Sequence, residues 1–277
     1  MSKRRILAIG SAAALALGLT ACGGDSGGDA GGDGGGSGDT VKVGIKFDQP
    51  GLGFKEGDTY SGFDVDVANY VAKEMGKEVE FVQAPSPQRE TLIETGQVDM
   101  IFATYSITDE RKEKVSFAGP YFIAGQDLLV ANDSDIASVD DLDGKRLCSV
   151  SGSTSAENVK EEVPGVQLRE FDTYSECLDG LVNGQLDALT TDNTILAGYA
   201  AQDTYKGKLK VVGKTFSEER YGVGIKKGDT EMCNQINKAL TKMVDDGAWQ
   251  KAVDDNFGPA GFEVDDSVNP PKVDECA

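Results

Sequence analysis

Strand-like and helix-like periodicity alternate along the chain from Thr40, and the alternation starts afresh after residues 128–131. Val41, Val43 and Ile45 fall at every second position, as in a strand with one buried face. Val67, Tyr70, Val71 and Met75 then recur at helical spacing, with Gly76 as a stop. Residues 79–82 read as a strand, 88–95 as a helix ended by Gly96, and 98–102 as a buried strand. In the second run, 138–144 is a capped single turn, 145–150 a strand, 154–162 a helix and 166–171 a strand. Thr173 and Glu176 have capping-box spacing for a helix through Val182, with Asn183-Gly184 as its stop and a strand over 186–191. A last strand, 221–225, leads into a long helix carrying Met232, Ile236, Leu240 and Met243 on one face. Such alternation implies α/β architecture with parallel-rich sheets flanked by helices, and its restart implies two lobes. Open α/β sheets bind ligands beyond the carboxyl ends of their strands, so two facing edges form a cleft.

The N-terminus is organised differently. Lys3-Arg4-Arg5, an apolar run over 6–19 and small residues before Cys22 describe a secretory signal over 1–21. The apolar run is too short for a convincing membrane span. Leu19-Thr-Ala-Cys22 resembles the lipobox of bacterial lipoproteins, which implies lipidation of Cys22 and anchoring to the cell membrane. Residues 23–39 are Gly, Asp and Ser with a single Ala, too polar to offset chain entropy; 22–39 is therefore expected to be a disordered tether spanning roughly 20–25 Å.

Charge narrows the partners. With 47 acidic against 27 basic residues and no histidine, the net charge is −20. That argues against nucleic acid and anionic lipid as partners. An anionic ligand would then need locally clustered cations. No Cys or His metal-ligand cluster exists, and Gly222-Val-Gly224 has the wrong continuation for a dinucleotide loop, so neither metal nor cofactor is expected. Besides Cys22 there are four cysteines, Cys148, Cys177, Cys233 and Cys276, an even number that favours two disulfides in an exported chain. Of three possible pairings, the strand-end position of Cys148 and the helical position of Cys177 favour Cys148 with Cys177, leaving Cys233 with Cys276.

Ala103-Thr-Tyr-Ser-Ile-Thr-Asp-Glu-Arg-Lys112 leaves the buried strand 98–102 and presents hydroxyls and a guanidinium within one turn. Small donors beside a planar, permanently charged fork suit a carboxylate. The segment resembles the ligand-binding turn of the polar amino-acid receptors of bacterial ABC importers, and residues 41–258 resemble a type II periplasmic binding protein. The resemblance implies two α/β lobes, 40–128 with 222–277 and 129–221, joined by two crossings near 127–132 and 219–224. It implies further that Arg111 holds a ligand α-carboxylate with help from Thr104 and Ser106, and that Asp192 accepts from the α-ammonium. Arg111 and Asp192 would thus clamp a zwitterion, one from each lobe. Many relatives have Gly at Thr104 and a cation near Val150, and this chain has neither.

Other strand ends add to the set. Ser153 and Thr154 lie at a helix start where free N–H groups favour an anion. Lys46 ends the first strand and Arg89 opens the second helix; two cations beyond the α-carboxylate site imply a second carboxylate on the ligand. Residues 46–53 and 149–154 also resemble actinobacterial glutamate receptors. The alternatives are a solvated strand end for Lys46, pairing with Glu90 or Glu94 for Arg89, and an N-cap for Asp192. Phe47, Phe54 and Tyr105 are candidates for packing over the ligand or for core, and Asp64 and Asp66 for capping the next helix.

The expected function is therefore an extracytoplasmic, monomeric, lipid-anchored receptor that captures L-glutamate by hinge closure and delivers it to an ABC permease. Aspartate or glutamine as ligand, or presentation of the ligand to a membrane sensor, are alternatives. An enzyme would need a positioned acid or base. Histidine is absent, and Asp192, the one candidate base, is already engaged by the clamp.

Overall fold

Val41, Val43 and Ile45 line the buried face of β1 (Thr40–Ile45) in the computed structural model, which describes residues 40–276. The expected signal, Cys22 and the tether over 22–39 lie outside the described residues. A small sheet of β2 (Asp48–Gln49), β3 (Gly53–Glu56) and β4 (Thr59–Ser61) follows, then helix α1 (Phe63–Glu74). Its Val67 and Val71 are fully buried, as their spacing predicts, while Tyr70 and Met75 lie at the edge of the core. Asp64 and Asp66 do not cap it. The N-cap is Gly62, without a side-chain cap; Asp64 bonds Tyr121 and Thr104, and Asp66 bonds Asn256.

β5 (Glu78–Gln83) and β6 (Met100–Ile101) pair in parallel with β1, Val43 lying opposite both Phe81 and Met100. Helices α2 (Arg89–Glu94) and α3 (Asp109–Lys114) follow β5 and β6 respectively. β7 (Val115–Ala124) and β13 (Glu219–Lys226) complete the first sheet in the order β5-β1-β6-β13-β7, with β13 antiparallel to its neighbours. The second sheet, in the order β10-β9-β11-β8-β12, contains β8 (Gln126–Ala131), β9 (Arg146–Val150), β10 (Gln167–Phe171), β11 (Ala188–Asp192) and β12 (Leu209–Val211). Between its strands run α4 (Thr154–Glu162), α5 (Ser175–Val182) and α6 (Asn193–Ala201). The molecule is thus two α/β lobes, each built on a mixed sheet with a parallel centre.

Sheet membership changes at Gly125 and between Val211 and Glu219, a few residues before the boundaries expected at 128 and 221. Pairing explains the offset: Gln126 already pairs with Asp192 in the second sheet, and Glu219 with Ala124 in the first. The two crossings touch. A Cβ on Gly125 would lie 2.8 Å from Thr215 Cγ2 and 3.0 Å from the Ser217 carbonyl, so only glycine fits there.

After β13, α7 (Thr230–Asp245) and α8 (Ala248–Phe257) pack on the first lobe. On α7, Cys233, Ile236, Leu240 and Met243 are buried, with Cys233 rather than Met232 continuing the stripe. Trp249 of α8 sits edge-on to Phe63 and stacks on Phe122, and its indole N–H donates to the Tyr121 carbonyl at 2.9 Å. Disulfides join Cys148 of β9 to Cys177 of α5, and Cys233 of α7 to Cys276 in the C-terminal segment. The box spacing of Thr173 and Glu176 is half used: Glu176 accepts from Thr173 N, but the N-cap of α5 is Tyr174.

Candidate ligand-binding site

Three cations converge where the first sheet's strands end. Lys46, just beyond β1, is 5 % exposed and donates to Ser86 Oγ at 2.6 Å, so it is not a solvated strand end. Burial, then the neighbouring Arg89, pulls its pKa well below the ordinary lysine range. Arg89 at the start of α2 forms no ion pair with Glu90 or Glu94. It donates instead to the carbonyls of Ser86 (3.3 Å), Ala103 (3.1 Å), Thr104 (3.4 Å) and Gly152 (3.1 Å). Burial and then Arg111 lower it to about 10.

Arg111 sits in the first turn of α3, whose N-cap Thr108 accepts from the Arg111 amide. Its guanidinium donates to the Ser106 carbonyl at 2.8 Å and the Gly152 carbonyl at 3.1 Å, and lies 3.8 Å from Glu90. Beneath both arginines is Tyr105, fully buried, its ring centre 4.3 Å from Arg89 and 4.9 Å from Arg111. Tyr105 is therefore a support under the cations, a cation–π platform rather than a lid. Phe47 packs on Tyr60, with ring centres 5.4 Å apart, and Phe54 pairs in the small sheet.

Thr104 is the one non-glycine residue with positive φ (45°) among the described residues. That backbone costs a branched side chain about 1–3 kcal/mol. Local bonds hold it: Thr104 N donates to Asp64 Oδ2 at 3.0 Å, and its single hydroxyl proton is shared between Ala103 O at 2.8 Å and Gln49 Oε1 at 3.2 Å. Asp64 is itself buried, which raises it to about 6 although Tyr121 and Thr104 donate to it. The next polar residue, Ser106, donates to Glu219 Oε2 at 2.5 Å.

The second lobe supplies the facing wall. Ser153 is the N-cap of α4, accepting from Ala156 N at 3.0 Å, and Thr154 donates to Glu219 Oε2 at 2.8 Å. Asp192 ends β11 at the N-cap position of α6, but its side chain makes no capping bond. It accepts from Tyr221 Oη at 2.6 Å and lies 3.5 Å from Ser155 Oγ. Burial raises it to about 7, Glu219 adds to the rise, and Tyr221, Arg111 and Arg89 oppose it.

The eight side chains singled out in the sequence thus gather at one inter-lobe junction. Gly152 of the second lobe touches the first: both arginines bond its carbonyl, and a Cβ there would lie 2.9 Å from Pro87 Cα. Beside this contact opens a cavity of about 570 Å³, lined from one side by Ser86, Glu90 and Arg111 and from the other by Gly152, Ser153 and Thr154. Sequence reasoning missed Glu219, Tyr221 and Tyr174. Glu219 and Tyr221 are alternate residues of β13, and two polar side chains in the i, i+2 pattern were the available signal. Tyr174 precedes α5 and had no signal; burial, then Asp192, pushes its hydroxyl up to about 12.

Buried cations facing a buried carboxylate across two hinged α/β lobes define a binding protein for a small zwitterionic solute. The chain belongs to the bacterial extracellular solute-binding proteins, family 3, whose profile matches residues 41–259. It is 49% identical over 280 residues to the glutamate-binding protein GluB of Corynebacterium glutamicum, covering 95% of this chain and 94% of that protein. The ABC transporter glutamine-binding protein GlnH of Bacillus subtilis is 39% identical over 77% of this chain and 79% of its own length. Among solved structures, an ancestral arginine-binding protein bound to glutamine superposes with a TM-score of 0.74 at 38% identity, covering 79% of this chain and 98% of that one. A substrate-binding protein of an ABC uptake transporter from Streptococcus pneumoniae with bound histidine gives 0.74 at 28% identity, covering 79% and 92%. The family is one of binding proteins, not enzymes.

Proposed function

We propose that this chain captures an acidic amino acid, L-glutamate, outside the cytoplasm and delivers it to an ABC permease, tethered to the membrane through lipidated Cys22. The observation that carries the ligand assignment is the burial of Lys46 and Arg89 next to Arg111, three cations at one end of a site whose other end is Asp192. In a chain of net charge −20, such a cluster calls for more negative charge than one α-carboxylate brings. Arg111 takes the α-carboxylate, with the backbone N–H groups of Ser153 and Thr154 at the start of α4 facing it from the second lobe. Asp192, Thr104 and Ser106 surround the ammonium. Lys46, with one of its three N–H groups on Ser86, has donors left for the side-chain carboxylate. Arg89, mostly bonded to carbonyls, acts on that carboxylate chiefly through its field.

The name of the Corynebacterium relative supports glutamate, and that of the Bacillus relative marks glutamine as the competitor to test. Calorimetric titration of the protein, freed of carried-over ligand, with L-glutamate, L-glutamine and L-lysine decides between them. Tight stoichiometric binding of glutamate alone is expected; preference for glutamine would mean that the cation cluster serves the fold and not the ligand.

A further inference from the structure

We infer that Glu219 is a positioning residue of the binding site: it takes the hydroxyl protons of Ser106 and Thr154 and so turns both hydroxyls into acceptors toward a ligand ammonium. The inference rests on the amino-acid reading above. A serine or threonine hydroxyl has one proton and two lone pairs, whereas a carboxylate offers acceptors only. Ser106 Oγ at 2.5 Å and Thr154 Oγ1 at 2.8 Å from the same Oε2 therefore approach it as donors. Oε1 takes Ser217 Oγ at 2.8 Å and Asn158 Nδ2 at 3.3 Å. Four neutral donors thus surround a carboxylate that is 3 % exposed and has no salt-bridge partner among the described residues.

The consequence is one of polarity. Helping Arg111 to grip a carboxylate would require the Ser106 proton, and that proton is already donated to Glu219. What Ser106 can turn to the cleft is a lone pair, which suits an N–H donor. Tyr221, two residues on in β13, donates to Asp192 Oδ2, and the other oxygen, with the Ser155 hydroxyl at 3.5 Å, has acceptor capacity left for the same ammonium. One strand beside the hinge therefore orients both a hydroxyl acceptor and a charged one. Ser106 belongs to the first lobe and Thr154 to the second, so Glu219 completes its bonds only with the lobes together.

The test compares L-glutamate with glutarate, which carries the same two carboxylates and no amino group, by competition calorimetry on the wild type, Ser106→Ala and Glu219→Gln. The glutamine amide at 219 is a donor and returns at least one hydroxyl proton to the cleft. Each variant should weaken glutamate about tenfold or more and glutarate less than about threefold. A merely structural role would weaken both alike. Parallel losses in Ser106→Ala would show that the hydroxyl donates to a carboxylate and overturn the inference. So would a folded Glu219→Gln that keeps the wild-type glutamate-to-glutarate ratio. Should Glu219→Gln not fold, the Ser106→Ala pair decides alone. A wild type that binds no glutamate would sink the functional reading itself, an outcome distinct from unchanged ratios on a binding wild type.

Discussion

Replacing Asp192 by Asn should stabilise the ligand-free protein at neutral pH while removing its affinity for the ligand. The carboxyl is 4 % exposed and held at about 7 against an ordinary 3.8, chiefly by burial. A group whose pKa is raised on folding binds more protons folded than unfolded, so stability falls as pH climbs from about 4 to about 7. Taken whole, that shift is worth roughly 4 kcal/mol, an upper bound because relaxation and water penetration reduce it. A third of it would lift Tm by about 3–5 °C in a domain of this size. Asn keeps an oxygen for Tyr221, whose hydroxyl lies 2.6 Å from Asp192, so the substitution removes charge with little loss of bonding. Asp64 is also raised, to about 6, but titrates in both proteins and cancels in the difference. Thermal melts at pH 4.5, 6 and 8 without ligand should show wild type and variant close together at the acid end, drawing apart between pH 4.5 and 7, and fully separated at pH 8. A variant less stable than wild type at pH 8 would refute the reasoning, because Asp192 would then be stabilising the fold. Ligand should bring the converse: an ammonium beside Asp192 draws its proton off, so affinity should fall as pH drops below about 7, with proton release visible in calorimetry across buffers.

Arg111→Ala should cost about a hundredfold or more in affinity for every amino acid tested, whereas Arg89→Ala should weaken glutamate far more than glutamine; equal losses at 89 would remove it from the side-chain end. Gly152→Ala should reduce affinity several-fold without touching the ligand, since its φ of 72° and the 2.9 Å approach to Pro87 Cα oppose lobe contact; an unchanged affinity would mean that this contact is not part of closure. Cys276→Ser should lower stability by about 2–4 kcal/mol through loss of the 43-residue loop closure, read from urea melts.

Much of the site was legible because its chemistry is local. Hydroxyls and an arginine follow a buried strand within one turn, and the structure puts Thr104, Ser106 and Arg111 together at one edge. Lys46 and Arg89 could be named as strand-end and helix-start cations, but their burial could not, since it depends on residues far along the chain, Ser86 at 40 residues from Lys46 and Gly152 at 63 from Arg89. Glu219 and Tyr221 were read past for the same reason. In sequence they belong to an ordinary strand; a bridge to Tyr221 within the first lobe sets Ser106 beside them, and only the crossings between the lobes bring Thr154 and Asp192 onto them.

By itself the sequence determined the two α/β lobes, because periods of 2 and 3.6 residues follow from local backbone geometry and side-chain polarity. It determined equally the cation-rich character of the site, because side-chain charge needs no neighbour to exist. Which way a hydroxyl points its proton, which carboxyl is pushed up toward neutral pH, and where the chain passes between lobes were decided by tertiary structure alone. Those properties belong to pairs of groups far apart in the chain, and have no value until folding sets the distance between them and removes the water.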